Sequence, residues 1–240
     1  MTEEDREWMF PGGRRKALTL GYDDGVLQDV RLIRMLRRYG LKGTFYINSG
    51  FLGRESIHRG VDHSCPKPEE LREIYNGFEV AMHTCTHIKM AQASDDLLSQ
   101  EVEEDRRTLE GLVGYEVCGL AYPCGSYNRH VVDKLRQMHV CYARVTEETE
   151  AFMFPDELLE WRATCRHTNP KWLEFAKRFL EPETEGLFFV WGHSYEFDIN
   201  ENWDEMERFC EMMSEREDIW YASNGEIAKW ILGQRRKGQF

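Results

Sequence analysis

Apolar, β-branched and aromatic runs alternate with amphipathic stretches from one end of the chain to the other. Apolar residues at every second position read as a strand, and apolar residues three and four apart read as a helix packed by one face. The pattern predicts strands over 17–22, 43–48, 78–82, 117–122, 140–144, 159–164, 186–191 and 218–222. Helices are predicted near 29–39, 68–76, 94–113, 128–138, 170–181, 202–216 and 224–232. Several carry start signals: Ser94 before two aspartates, Asn169 before Pro170, Asn202 with Glu205 and Ser223 with Glu226; Gly40 reads as a stop. This alternation calls for a parallel sheet covered by helices. Its strand count suits an irregular (β/α) barrel of about seven or eight parallel strands, with an open doubly wound sheet as the alternative. No Pro/Gly/Ser-rich break interrupts the pattern, so residues 1–240 read as one domain.

Residues able to do chemistry fall just past the C-terminal ends of these strands. Asp23 and Asp24 follow the first, Asn48 closes the second, His83 and His87 follow the third, Tyr122 and Pro123 the fourth, and His193 the seventh. In such barrels the loops at that face hold the active site. Taken singly, Asp-Asp-Gly is an ordinary turn sequence and two histidines four apart are often unrelated. Together on one rim they predict a metal site. Two neutral imidazoles and a carboxylate suit a divalent transition metal, with zinc the default and cobalt, nickel, manganese or iron also accepted. Three protein ligands leave a position for water or substrate, and the second aspartate is free to act as a base. The same donors could serve an iron(II) oxygenase, whose usual jelly roll conflicts with the alternating pattern.

At these residues the chain resembles the polysaccharide deacetylases of the NodB-homology type, carbohydrate esterase family 4, over most of its length. The first motif is matched by Tyr22-Asp23-Asp24-Gly25, and the resemblance makes Asp23 the general base and Asp24 a metal ligand. The second is matched by His83-Thr84-Cys85-Thr86-His87; the resemblance makes both histidines ligands and Thr84 a support of the loop. The third survives in part as Ala121-Tyr122-Pro123-Cys124-Gly125, where the resemblance assigns the Tyr122 N–H to an oxyanion hole. The fifth is matched by Val190-Trp191-Gly192-His193, which casts His193 as the general acid. The resemblance implies a metal-dependent deacetylase of N-acetylated sugars or oligosaccharides in a single catalytic domain. A non-sugar amide or ester substrate, and an inactive carbohydrate-binding member of the fold, are the alternatives.

Two departures stand out. The third motif's usual arginine, which in the family orients the base, is replaced by Ala121, and no equivalent of the fourth-motif aspartate is evident. Arg144, Arg166 and His167 close other strands, so a guanidinium could fill the vacancy from elsewhere. Arg144 and Arg166 are otherwise read as substrate contacts, together with Pro123, Tyr195 and Glu196.

A net charge of -12 argues against nucleic acid or an anionic membrane as partner, and no protein partner is predicted. Seven scattered cysteines fit reduced thiols. The first twenty residues contain no apolar run of signal-peptide length, so the chain as given reads as cytoplasmic. The charged stretch 101–110 reads as the wet face of a helix, and the Arg-Arg-Lys runs 14–16 and 235–237 as solvated ends. The glycine-bearing segment 49–67 reads as an active-face loop whose His58 and His63 are surface residues.

Overall fold

The computed structural model describes residues 9–236; the first eight residues and Lys237 of the basic run lie outside them. In chain order the elements are β1 (Lys16–Asp24), α1 (Asp29–Arg38), β2 (Thr44–Ile47), β3 (Ile57–His58), β4 (Val61–Asp62), α2 (Leu71–Ile74), β5 (Glu79–Met82) and α3 (Asp95–Val113). There follow β6 (Gly119–Ala121), α4 (Arg129–Gln137), β7 (Tyr142–Glu148), β8 (Trp161–Ala163), β9 (Cys165–Arg166) and α5 (Trp172–Phe179). The chain continues through β10 (Gly186–Gly192), α6 (Glu196–Ile199), α7 (Trp203–Met213), β11 (Ile219–Tyr221) and α8 (Asn224–Arg236).

The main sheet runs β8-β7-β6-β5-β2-β1-β10-β9, with every neighbouring pair parallel. Its two ends are consecutive in sequence. Thr164, between β8 and β9, accepts from Glu150 N–H on the β7 side at 2.9 Å and donates its own N–H to Phe189 of β10 at 2.8 Å. The segment 161–166 therefore bridges both ends of the sheet and makes it an irregular barrel. β11 pairs with the first half of β1 through Lys16–Leu18, and β2 pairs with the second half from Gly21 onward.

Period two sorts the strands into an inside and an outside. Ala17, Tyr46, Ala81, Ala121, Tyr142, Trp161, Leu187, Phe189 and Trp191 pack together within the barrel. Leu18, Leu20, Phe45, Val80, Leu120, Val145, Phe188 and Val190 pack outward against the helices. Asp23, two residues beyond Gly21 on β1, and Arg144, two beyond Tyr142 on β7, thus continue the inner rows.

Two of the start signals act as read, whereas Asn202 precedes α7 without a side-chain cap and α5 begins after Lys171, two residues beyond Asn169. Ser94 accepts from Leu97 N–H at 3.3 Å, and Ser223 and Glu226 exchange both bonds of a capping box. Gly40 ends α1 with φ 68°. Several elements differ, among them the strand expected over 159–164, which divides into β8 and β9, and the last helix, which runs on to Arg236. The strand expected over 140–144 runs to Glu148, the helix expected over 68–76 shrinks to a 3-10 turn and one α turn, and the short α6 was not foreseen. The wet-face reading of 101–110 is corrected: Glu101 and Asp105 are buried beside the apolar stripe Leu98, Val102 and Leu109, where Glu101 accepts from Thr86 N–H and Asp105 from Ser49 and His83 N–H. The solvated reading of 14–16 is corrected at Lys16, which is buried in β1 and donates to Glu181 O. Among the described residues no helix is long and apolar enough to cross a membrane.

Candidate active site

The rim at the C-terminal ends of β1, β5 and β10 gathers the candidates. Asp24 leaves β1 with φ 77°, which turns its carboxylate toward the histidine loop. One of its oxygens, Oδ1, lies 3.6 Å from His83 Nε2 and 3.7 Å from His87 Nε2. Donors bound at tetrahedral distances of about 2.0–2.1 Å sit about 3.3–3.4 Å apart; the two Asp24 pairs are close to that, and all three donor atoms lie within 4.8 Å of one another, so a cation would draw the trio together. The protonation states suit it too. His83 Nδ1 is 2.8 Å from the Ala121 carbonyl, which fixes the proton there and turns a bare Nε2 to the site. Burial pushes the His83 pKa down to about 4 against the pull of Asp23 and Asp24, so the ring is neutral at pH 7. Burial alone would raise the Asp24 pKa, but the facing His63, His193, His83 and His87 hold it well below the usual range.

The histidine loop is held from several sides. Asn48 donates to the carbonyls of His83 and Thr84 at 2.5 and 2.8 Å, and Asp105 accepts from His83 N–H at 3.0 Å and Ser49 N–H at 2.8 Å. Thr84 Oγ1 accepts from Ile88 N–H at 3.1 Å, and Glu101 holds Thr86 by two bonds. Thr84 and His87 both have left-handed φ, near 60° and 56°, a conformation that such a network stabilises.

Asp23 lies deeper. Arg144 Nη2 donates to its Oδ2, while Oδ1 is buried without a partner among the described residues. The guanidinium is fully buried, with Cζ 4.0 Å from the Trp191 ring centre and 5.7 Å from that of Tyr46. His193 Nε2 stands 3.9 Å from Asp23 Oδ2 and 4.0 Å from Asp24 Oδ2. Its Nδ1 faces Glu196 Oε2 at 3.3 Å and Arg166 Nη2 at 2.9 Å, so Nε2 is the nitrogen turned to the site. Burial would lower the His193 pKa, but the Glu196 contact and the charges of Asp24 and Asp23 outweigh it and raise the value. His167 stacks between Tyr22 and Phe197 and covers Gly192, where any side chain would overlap its ring.

The family model for polysaccharide deacetylases matches residues 11–143, more than half of the chain. The chain belongs to the polysaccharide deacetylase family. No curated protein matches it by sequence. Among solved structures, a protein from Mycobacterium smegmatis assigned as a polysaccharide deacetylase is 18% identical, with a TM-score of 0.69 over 95% of this chain and 94% of that one. A polysaccharide deacetylase from Bacillus cereus is 22% identical, with a TM-score of 0.50; the match covers 59% of this chain and only 44% of its own. A carbohydrate esterase family 4 pseudoenzyme from Bacillus anthracis is 16% identical, with a TM-score of 0.54 over 89% of this chain and 66% of that one. At these identities the likeness shows the fold.

Within the deacetylase frame, the structure rearranges several expected residues. Ala121 and Arg144 are register partners on β6 and β7, so the small side chain leaves the space that the neighbouring strand's guanidinium fills. Arg144 is therefore removed from the substrate contacts, since it has no exposed surface. Tyr122 is corrected as an oxyanion donor: its N–H donates to Arg144 O at 3.0 Å and its hydroxyl to Leu159 O at 2.8 Å. Pro123 is buried, whereas Cys124, with φ 54°, carries the first N–H of this loop with no partner among the described residues. Arg166 and Glu196 pair at 2.6 Å beside His193, and Tyr195 packs on the His193 ring at 5.2 Å. His63, read as a surface residue, comes within 3.5 Å of Asp24 Oδ2.

Below His193 a buried triad ties three elements: Ser194 and Tyr75 hydroxyls donate to Asp29 at 2.6 and 2.7 Å. Burial pushes the Asp29 pKa up to about 7 despite both bonds. The unfolded chain loses this proton near pH 3.9 and the folded one near 7. The resulting stabilisation is full below about pH 4 and is lost as pH rises through about 7. Asp29→Asn removes this falling contribution, so its stability relative to the native chain should rise between about pH 5 and about pH 8 in urea unfolding.

Proposed function

We propose that the chain is a metal-dependent hydrolase that removes acetyl from an N-acetylated sugar or oligosaccharide. The observation that carries this reading is the placement of Asp23: the oxygen that accepts from Arg144, Oδ2, also stands 3.9 Å from His83 Nε2 and 3.9 Å from His193 Nε2, at the edge of the Asp24–His83–His87 donors. A divalent cation on those donors, zinc by preference, would supply Lewis acidity toward the acetyl carbonyl and lower the pKa of a water molecule.

The chain's own groups perform the proton transfers. Asp23 accepts a proton from the attacking water, with Arg144 keeping the carboxylate oriented. The Cys124 N–H, without a partner among the described residues, would donate to the developing oxyanion in place of Tyr122. His193 Nε2 gives its proton to the departing amine, and Glu196 holds the ring from the Nδ1 side in the way the missing fourth-motif carboxylate would. Tyr195, at the mouth, offers an aromatic face to the sugar.

The inactive binding reading draws on Ala121 and on the missing fourth-motif aspartate; the bond of Arg144 to Asp23 and the contact of Glu196 with His193 argue against it. The reading is tested by acetate release from N-acetylglucosamine oligomers before and after chelation. Release that stops with chelator and returns with zinc is expected; sugar binding without release would leave the binding protein. His193→Ala should slow amides more than esters with good leaving groups, which depart without a proton; equal slowing counts against a general acid.

A further inference from the structure

The segment 49–67 brings a fourth imidazole to the donor cluster. His63 Nε2 lies 3.5 Å from Asp24 Oδ2, the oxygen that faces away from His83 and His87. The contact is built rather than incidental, because the backbone on both sides of His63 is tied down. Gln28 Nε2 donates to Asp62 O at 2.6 Å, His63 N–H to Ser56 O at 2.8 Å, and Leu27 N–H to Ser64 O at 2.9 Å. Leu27 and Gln28 belong to the turn that carries Asp24, so one short stretch of chain sets both partners. The His63 ring is further wedged against Tyr195, with ring centres 4.6 Å apart, and against His58 at 5.4 Å.

A carboxylate can present either oxygen, or both, to a cation, and its second partner decides which. We infer that His63 is a positioning residue for Asp24: it engages Oδ2 and so reserves Oδ1 for the cation. Outer partners of this kind commonly change metal affinity by about 10–100-fold when removed. The inference rests on the metal site proposed above, and concerns affinity rather than chemistry.

The test is zinc titration of the metal-free protein in competition with a chromophoric chelator, for the native chain, His63→Ala, His63→Gln and His58→Ala. His63→Ala should bind zinc about 10-fold more weakly or worse. His63→Gln places an amide N–H near the lost Nε2–H and should recover most of the affinity. His58→Ala, which removes a ring packed on His63 but makes no contact with Asp24, should lose less affinity than His63→Ala. Native affinity in His63→Ala, equal losses in the alanine and glutamine variants, or an equal loss in His58→Ala would overturn the role given to His63. A native chain that binds no zinc would instead remove the metal site itself, and this inference with it.

Discussion

Asp23→Asn should keep the donor cluster and lose most of the turnover, by about 10²–10⁴-fold, the usual contribution of a positioned proton acceptor. Asparagine matches the shape of aspartate, and its amide oxygen can still accept from Arg144. The other position then carries an NH2 group where Asp23 presents a bare oxygen, and no proton can be taken. Asp24, His83 and His87 are untouched, so zinc content should remain that of the native chain. The comparison separates metal binding from base catalysis, and full activity in the variant would show that another group removes the proton.

The second large effect is expected at Arg144. Arg144→Ala leaves the Asp23 carboxylate buried and without its guanidinium, a change that typically costs about 3–5 kcal/mol of stability, and it also frees the base to turn. Both unfolding free energy and acetate release should fall. The more informative variant is the double change Ala121→Arg with Arg144→Ala. Because residues 121 and 144 are direct register partners and both point into the barrel, a guanidinium from β6 can reach the same carboxylate. The double variant should therefore recover a substantial part of the stability and activity lost in Arg144→Ala. No recovery, with the protein folded, would mean that the arginine's role depends on its stacking on Trp191 rather than on its bond to Asp23.

Much of this arrangement was legible along the chain because a strand imposes a strict alternation. Ala17, Thr19, Gly21 and Asp23 share a face, and the run Leu18, Leu20, Tyr22 on the other face could only pack under helices. The residues that end strands at one rim were readable for the same reason. What the sequence did not disclose depends on pairings between distant segments. The bond from Tyr122 N–H to Arg144 O follows from the β6–β7 register, which no local pattern states. Asp105 sits among charged neighbours in sequence, but its position three residues past Val102 turns it toward the histidine loop. The pair Glu101 and Asp105, one helical turn apart beside an apolar stripe, was the available signal. His63 had none, since its place depends on bonds from residues 27 and 28 across the barrel mouth.

The most direct test of the central claim is metal stoichiometry, measured by elemental mass spectrometry on the native chain and on His87→Ala after zinc loading and desalting. His87 is the most exposed of the three donors, at 30%, so its removal disturbs the core least. One zinc per native chain, lost in the folded variant, is the predicted result. No stoichiometric metal in the native chain, or the same content in both, would contradict a hydrolase built on Asp24, His83 and His87.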